Sequence, residues 1–434
     1  MCSGEPGPGP IEGRSRQRGM ATKAGRPHRS CGKLTTGNLT LTATALWRKE
    51  LQPRPRVPAA RMLASDIASS SASRLPPRLR GLIMLAARWF GRRDVRVEQV
   101  PELGAPPQGW ARLRVESCGI CGTDLEEYES GPVLIPVQPH PLTGQAAPLI
   151  IGHEVAGVVE EAGPHVTLEP GTRVAVDGNR YCGHCRWCRR AEYQLCVVSG
   201  QLGLHADGGL AEHMLAPAFM CIPYGAHTAA DHAALAEPLA VAVRAVRRAE
   251  LELNATVAVL GAGSIGLLVV QVARAAGAGT VLAVERHPHR RALALKLGAD
   301  AAVAPEQAAE AAMDLTSGVG ADAVIEAAGT PAAAAAAVQL ARRGGTTVLL
   351  GVADGTAPLD ILDFLIGEKR IVASLSHVYN TDFTTAVSLI DRNALQLEPL
   401  ITDRIGLTEV VMAGFEALID APSAHLKVMV NPSL

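Results

Sequence analysis

The sequence has no apolar run of eighteen or more residues and almost no excess charge of either sign. The first absence excludes a membrane-spanning helix. The second, 41 basic against 42 acidic side chains in 434 residues, gives no general attraction to nucleic acid or to an anionic membrane. The beginning of the chain also lacks the charged stretch and apolar segment of a secretory signal. We therefore expect a soluble, cytoplasmic protein of two or three domains with a small-molecule partner.

Cysteine is too scarce for a disulfide framework, because nine cysteines in a chain of this length fit a reducing compartment better. Four of them are closely spaced: Cys182, Cys185, Cys188 and Cys196. Two residues between successive cysteines let a tight turn aim both sulfurs at one point, and Zn²⁺ takes four such thiolates without an open position. The spacing predicts a closed structural zinc lobe in which no reaction takes place.

Residues 1–83 are rich in Arg, Pro, Ser and Gly and poor in acidic residues, which predicts disorder. An organellar transit segment is an alternative, but the dense Pro and Gly oppose the amphipathic helix that such a segment needs. The plainer interpretation is an upstream extension or a misassigned start. The folded protein is expected to begin near Met84.

Three further segments follow. Residues 84–240 contain short strand-like runs between Gly and Pro, including Asp94–Val100 and Ala111–Val115, and predict a β-rich domain. Residues 241–376 alternate apolar strands with helices and predict a doubly wound parallel sheet, in which "PAAAAAAVQLARR" is a helix. Residues 377–434 end in the strand-like "HLKVMVNP", which is expected to return to the β-rich domain.

A glycine-rich turn, Gly261, Gly263 and Gly266 with Ile265 between the last two, follows an apolar strand and opens an apolar helix. This is the context of a dinucleotide site, where the helix N-terminus faces the pyrophosphate. Glu285 ends the next strand, where a carboxylate can bind an adenosine ribose and repel a 2′-phosphate. The pattern favours NAD over NADP, although Arg286 and Arg290 could soften the preference. A glycine turn in an unrelated α/β domain is the alternative.

The motifs "SCGICGTDLEEY" (117–128), "GHEVAGVV" (152–159), the four-cysteine lobe, "AEPLAVA" (236–242) and the glycine turn occur in a recognisable order. From Met84 onward the chain resembles the zinc-dependent medium-chain alcohol and polyol dehydrogenases. The loop "ESGPVLIPVQPHPLTGQAAP" is most similar to that of 2,3-butanediol dehydrogenases, with sorbitol and threonine dehydrogenases as neighbours. The resemblance implies a Rossmann domain, a β-rich GroES-like catalytic domain and a homodimer or homotetramer.

The resemblance also implies that Cys121, His153 and Glu154 bind a catalytic zinc ion and that Glu237 supplies or exchanges a further ligand. The chemistry agrees, since one thiolate, one imidazole and one carboxylate leave room for water or substrate. Glu237 could instead cap the helix that follows it. Cys118 is better interpreted as a small buried residue.

The implied reaction is hydride transfer from an alcohol to NAD, with zinc as the Lewis acid. Thr123 matches the family hydroxyl that touches the substrate oxygen. The chain has Glu126 and Arg244 where relatives often carry histidine. A relay through Glu126 would shift the pH profile downward, because an unperturbed glutamate titrates about two units below histidine. Asp124 is expected to orient the backbone or the zinc ligands.

The leading hypothesis is therefore an enzyme with two zinc ions per chain, oxidising a secondary alcohol or vicinal diol with NAD. A sorbitol- or threonine-type dehydrogenase is the nearest alternative. A zinc-free enone reductase and a non-catalytic nucleotide-binding relative are alternatives of another class, and the intact ligand set argues against both.

Overall fold

The computed structural model describes residues 83–434. The disorder predicted for residues 1–83 lies outside the described residues, apart from Ile83, which opens the first strand. Within the described residues, no helix combines the length and apolar character needed to cross a bilayer.

Short strands dominate the first part of the described chain. They are β1 (Ile83–Gly91), β2 (Asp94–Pro101), β3 (Trp110–Gly119), β4 (Leu149–Ile150), β5 (Glu154–Ala162), β6 (Arg173–Val176), β7 (Asn179–Arg180), β8 (Gly200–Gln201), β9 (His213–Pro217) and β10 (Cys221–Pro223). The helices here are α1 (Gly122–Ser130) and α2 (Ala230–Ala234). Burial alternates along most of β3, so one face of this strand packs in the core.

Strands and helices alternate in the next part of the chain. In chain order these are α3 (Ala236–Ala249), β11 (Thr256–Leu260), α4 (Ser264–Ala275), β12 (Thr280–Val284), α5 (Pro288–Lys296), β13 (Ala301–Val303), α6 (Ala308–Leu315), β14 (Ala321–Glu326), α7 (Pro331–Leu340), β15 (Ala341–Leu349), α8 (Ile361–Ile366) and β16 (Arg370–Ala373). The final elements are π-helices at Tyr379–Phe383 and Val410–Glu416, α9 (Thr384–Asp391), β17 (Asp403–Gly406), α10 (Ala417–Asp420) and β18 (Val428–Asn431).

The predicted doubly wound sheet is confirmed. Six strands lie in the order β13-β12-β11-β14-β15-β16, and every neighbouring pair is parallel. The order reverses between β11 and β14, so a crevice opens at their carboxyl ends, where folds of this kind bind dinucleotides. The helix predicted at "PAAAAAAVQLARR" is right as far as Leu340 and wrong beyond it, because Ala341 pairs with Ala321 of β14 and starts a strand.

The β-rich part contains a sheet of seven strands. Six follow the order β10-β6-β5-β3-β18-β17, and β9 also pairs with β3. β18 is antiparallel to β3 and parallel to β17, so residues from the end of the described chain complete the sheet that β3 begins. A three-stranded sheet β2-β1-β4 and the two-stranded ribbon of β7 and β8 accompany it.

Helix α3 joins the two parts. Its buried face carries alanine, leucine and valine and packs on α4 and α9, while Arg247 and Arg248 lie in its last turn. Glu237 and Pro238 stand in the first turn, where proline costs no hydrogen bond. Glu237 is thereby buried at the meeting of the two parts.

Candidate functional site

The four cysteines of the predicted lobe come together. Their sulfurs all lie within 4.8 Å of one another, and residues 83–434 contain one such group of histidine, cysteine or acidic ligand atoms. Sγ of Cys188 is 3.9 Å from that of Cys182 and 3.6 Å from that of Cys185. A tetrahedral ion with Zn–S bonds of about 2.3 Å requires sulfurs about 3.8 Å apart, so the group fits zinc.

Backbone amides support the charged form of these sulfurs. The N–H groups of Cys182, Cys185 and Cys188 donate to the sulfurs of Cys196, Cys182 and Cys185 over 3.4 to 3.5 Å. Donation from the Cys188 amide lowers the pKa of the Cys185 thiol to about 6. Because zinc binds thiolates, this backbone favours metal binding at neutral pH.

The glycine turn lies between β11 and α4. Gly261 has φ +93°, a conformation that glycine adopts without strain. A Cβ on Gly266 would lie 1.8 Å from the Gly261 carbonyl oxygen, whereas a Cβ on Gly263 would meet nothing within 4 Å. The third glycine is therefore required for packing, and the second leaves open space at the N-terminus of α4.

Two alanine substitutions separate these roles. We expect Gly266→Ala to lower the free energy of unfolding by about 1–3 kcal/mol, because the new methyl group overlaps backbone. Gly263→Ala should keep the wild-type unfolding midpoint but weaken binding of NAD, because its methyl group occupies the space next to the helix N-terminus. Urea denaturation and NADH fluorescence titration measure the two effects. Equal loss of stability in both variants would contradict this assignment.

Glu285 is buried directly after β12. Its carboxylate accepts N–H from Ala262 of the glycine turn at 2.8 Å and from His287 at 2.9 Å. Arg290 lies on α5 and donates to the Pro422 carbonyl. Ile265 lines a large cavity in the crevice. The structure thus brings Glu285 and Ile265 to the dinucleotide crevice, while Arg290 is held by a contact elsewhere.

This cavity, of about 480 Å³, joins the dinucleotide crevice to the predicted catalytic residues. Cys121, Thr123, His153 and Glu237 line it together with Ile265 and the backbone after β14. Cys121 precedes α1, and its Sγ is 3.9 Å from the Thr123 hydroxyl. Burial by itself would lower the pKa of His153, but the charges of Asp124 and Cys121 raise it well above its usual value.

Asp124 supports this group from within α1. One carboxylate oxygen accepts the Cys121 N–H at 2.9 Å, and the other lies 3.4 Å from Nδ1 of His153. Asp124 is almost fully buried. It therefore holds the backbone of Cys121 by a hydrogen bond and places a negative charge beside His153.

Glu154 is held by a residue that the sequence analysis missed. Nζ of Lys427 lies 2.6 and 2.8 Å from the two Glu154 carboxylate oxygens and donates to the Ile120 carbonyl at 3.0 Å. All of these groups are buried. Within residues 83–434, Glu154 does not form a compact ligand group with Cys121 and His153, because its carboxylate faces Lys427.

His377 was also missed, and it connects two acidic residues at the cavity. Its Nε2 is 3.1 Å from Oδ1 of Asp177, and its Nδ1 is 3.7 Å from Oε1 of Glu237. Asn179 Nδ2 lies 3.0 Å from His377 Nε2. A lone histidine in "SLSHVYN" gives no sequence signal, because its partners come from distant segments of the chain.

Glu126 is not brought to the cavity. It is exposed on α1, whereas Asp124, Glu127 and Tyr128 occupy the buried face of the same helix. Helical periodicity turns its side chain to solvent, so Glu126 does not contact the cavity directly, and the proton relay expected from its position in the motif stays a prediction. Arg244 is instead engaged in an ion pair, with its guanidinium 3.4 Å from Asp382.

The exposure of Glu126 changes what its replacement should do. We expect Glu126→His to leave the pH profile of kcat/KM unmoved, because the Glu126 side chain is exposed and does not line the cavity. Steady-state oxidation measured from pH 6 to pH 10 tests this. A shift of the profile in Glu126→His would instead support a proton relay through Glu126.

The chain matches two families. Residues 264–392 match the zinc-binding dehydrogenase family, and residues 107–226 match the alcohol dehydrogenase GroES-like domain. Together with the closed cysteine lobe and the parallel sheet, these matches show that the chain belongs to the zinc-dependent alcohol and polyol dehydrogenase family, as its motifs predicted.

Particular relatives are named enzymes. (R,R)-butanediol dehydrogenase of Bacillus subtilis (strain 168) is 34% identical over 355 residues, which are 81% of this chain and 100% of that protein. A crystal structure of 2R,3R-butanediol dehydrogenase from Bacillus subtilis has a TM-score of 0.75 and covers 80% of this chain and 99% of its own. L-threonine 3-dehydrogenase of Pyrococcus abyssi is 34% identical over 69% of this chain and 85% of its own length.

A zinc-binding dehydrogenase structure from Sinorhizobium meliloti, bound to NADP, is 32% identical with a TM-score of 0.72 and covers 81% of this chain and 99% of its own. Similar proteins therefore include one with the phosphorylated cofactor.

Proposed function

We propose that the chain oxidises a secondary alcohol or vicinal diol, of the butanediol type, by reversible hydride transfer to NAD. One observation carries the proposal: the cavity of about 480 Å³ is lined at once by Cys121, Thr123 and His153 and by Ile265 of the dinucleotide crevice. An alcohol carbon and a nicotinamide ring can therefore meet beside zinc-type ligands. The similarity to butanediol and threonine dehydrogenases supports this substrate range.

We propose two zinc ions per chain. The cysteine lobe would hold one of them, and Cys121 with His153 would hold the catalytic one, with Glu237 or Glu154 as exchangeable carboxylate ligands. The donors fit, because a thiol, an imidazole and buried carboxylates are the groups that catalytic zinc takes. Asp124 near Nδ1 of His153 leaves Nε2 as the ligand atom. When bound, zinc supplies a Lewis acid for the alcohol oxygen.

The chain's own residues orient the substrate and move its proton. Thr123 presents its hydroxyl beside Cys121 at the cavity wall, where it would accept a hydrogen bond from the alcohol group and donate its own proton to the next acceptor of a chain that ends in solvent. Lys427 balances the charge of the buried Glu154 carboxylate. Burial raises the pKa of Glu237, and His377 lies against its carboxylate. Glu237 and His377 thus form one wall of the reaction space.

We propose NAD as the cofactor, bound by the turn of Gly261, Gly263 and Gly266 with Glu285 near the adenosine ribose. Glu285 is buried beside the turn, where its carboxylate opposes a 2′-phosphate. The NADP-bound relative makes the comparison with NADP essential. Measurement of kcat/KM with each cofactor tests the preference, and a higher value with NADP would overturn it.

The experiment for the proposed function is NAD reduction by the chain starting at Met84, with zinc quantified on the same sample. Stereoisomers of 2,3-butanediol, sorbitol, threonine and simple secondary alcohols form the panel. Turnover of one butanediol isomer with two zinc ions per chain supports the proposal. Turnover only of sorbitol or threonine would change the assigned substrate but leave the proposed mechanism unchanged. One zinc ion and no turnover overturn it.

We further propose that residues 84–240 and 377–434 form the catalytic part and that residues 241–376 form the nucleotide part. We also propose a cytoplasmic location, because free cysteines suit a reducing compartment. Pairing of β18 with β3 supports this division.

We propose a homodimer or homotetramer. β16 ends the parallel sheet, and the nearby side chains of Ile361, Leu362, Leu365 and Ile366 are 56 to 67% exposed. An edge strand beside exposed apolar residues suits two-fold pairing with a second copy. Light scattering after size-exclusion chromatography tests this, and a monomer at micromolar concentration would contradict it.

A further inference from the structure

Arg180 stands between the metal end of the large cavity and a smaller cavity of about 300 Å³, and its side chain lines both. It lies on β7, opposite Gly200 of β8. The cysteine lobe is the connection between these two strands. A rigid ribbon therefore fixes the residue at the wall of the proposed substrate site.

The guanidinium of Arg180 has no anionic partner. Within residues 83–434, no carboxylate oxygen lies within 4.0 Å of it, and no protein group accepts a hydrogen bond from it. It is half-buried and stacks over the Trp110 ring, 5.1 Å from the ring centre. By contrast Arg173, also partly buried, pairs with Glu116 and donates to two carbonyls.

Two histidine rings lie near Arg180, and their lowered pKa values leave both uncharged at neutral pH, so neither supplies a counter-charge. The rings of His140 and His205 lie 4.8 Å apart. Burial lowers the pKa of His205 to about 4, and burial together with the charge of Arg180 lowers the pKa of His140. Acidic side chains line the large cavity at Asp177 and Glu237, and both of these face His377. The Arg180 end therefore has an uncompensated positive charge.

A partly buried guanidinium without a negative partner is energetically unfavourable, and a bound anion would supply that partner. Its planar set of N–H donors matches the two oxygens of a carboxylate or phosphate group, and stacking on Trp110 fixes its plane. Nearby, Asn179, Ser199 and Gln201 add polar groups to the same cavity wall.

We propose that the substrate of this site carries an oxyanion, a carboxylate or a phosphate, in addition to its alcohol group, and that Arg180 binds that oxyanion. The inference rests on the proposed alcohol oxidation and narrows its substrate class. A neutral diol is then a poor analogue of the preferred substrate.

The test uses matched three-carbon alcohols: glycerol is neutral, glycerate carries a carboxylate, and glycerol 3-phosphate carries a phosphate. Butane-2,3-diol and 2,3-dihydroxybutanoate form a second pair. Zinc-loaded wild type should oxidise the preferred oxyanion member with kcat/KM about 10- to 100-fold above its neutral partner, the range expected for a charge-assisted hydrogen bond. The preferred member distinguishes carboxylate from phosphate.

Arg180→Met should raise KM for the oxyanion substrate and abolish the preference, while kcat/KM for the neutral alcohol stays unchanged. Arg180→Lys should recover part of the preference. Arg186→Met is the matched control, because Arg186 also stacks on a tryptophan, Trp187, but is exposed and does not line the cavity. It should behave as wild type.

Titration calorimetry with glycerate and glycerol 3-phosphate gives a readout that does not depend on turnover. Binding that is lost in Arg180→Met supports the inference. Absence of binding to wild type at millimolar concentration overturns it, as does an equal loss for neutral and oxyanion substrates in Arg180→Met. Oxidation of neutral alcohols alone would defeat this inference and leave the proposed function standing, whereas oxyanion binding without any alcohol oxidation would defeat the proposed function.

Discussion

Replacement of Lys427 by methionine is expected to lower the free energy of unfolding of the zinc-free protein by about 3–5 kcal/mol, the range for breaking a buried ion pair on one side. The ammonium group of Lys427 lies 2.6 and 2.8 Å from the Glu154 oxygens, and both side chains are buried. Methionine fills a similar volume, so the main effect is a buried carboxylate without a counter-charge. Urea denaturation in the presence of a chelator measures the loss.

Lys369→Met is the matched control for this substitution. Lys369 is also buried, and its Nζ is 2.9 Å from Asp363, but the Asp363 side chain is 53% exposed. Water can therefore solvate Asp363 after the lysine is removed, and the expected loss is about 1 kcal/mol. If both variants lost the same free energy, the burial of Glu154 would not be the cause.

Cys185→Ser is expected to reduce the zinc content by one ion per chain and to lower the melting temperature. The sulfur of Cys185 lies 3.6 Å from that of Cys188 within the four-cysteine group, and a serine hydroxyl does not replace a thiolate as a zinc ligand. The remaining three sulfurs cannot supply the four ligands of a closed tetrahedral zinc site. Elemental analysis of the purified variant gives the stoichiometry, and calorimetry gives the melting temperature.

Cys221→Ser controls for the exchange of sulfur for oxygen. Cys221 is buried outside the lobe, and burial raises its pKa to about 12, as expected for a thiol that does not bind metal. This variant should lose some stability but keep the zinc content of wild type. If Cys185→Ser retained all its zinc, the lobe would not be a metal site.

Local sequence was enough to predict features whose partners are close in the chain. The apolar strand predicted before the glycine turn is observed at Thr256–Leu260, because a short β-branched apolar run that ends at a glycine turn favours a buried strand. The four cysteines meet because a short segment contains them all. The end of α7 could not be predicted, since strand pairing with β14 overrides the helix preference of the alanine-rich run.

Residues whose partners are distant were not predictable. Lys427 gains its role only when β18 pairs beside β3 and brings it to Glu154. His377 depends in the same way on Asp177 and Glu237. For Glu126 the sequence resemblance indicated a role but did not specify which face of α1 is buried, so its exposure could not be predicted.

The pairing of β18 with β3 also determines the order of events during synthesis. Everything between these two strands, including the whole parallel sheet, leaves the ribosome before β18 does. Domains fold as units while the chain grows, so the nucleotide part can reach its structure first. Until then the end of β3 at Cys118 and Gly119 lacks its β18 partner, although β9 can already pair with the start of the strand, and Glu154 lacks Lys427. A nascent chain can therefore complete its parallel sheet before it can complete its β-rich sheet.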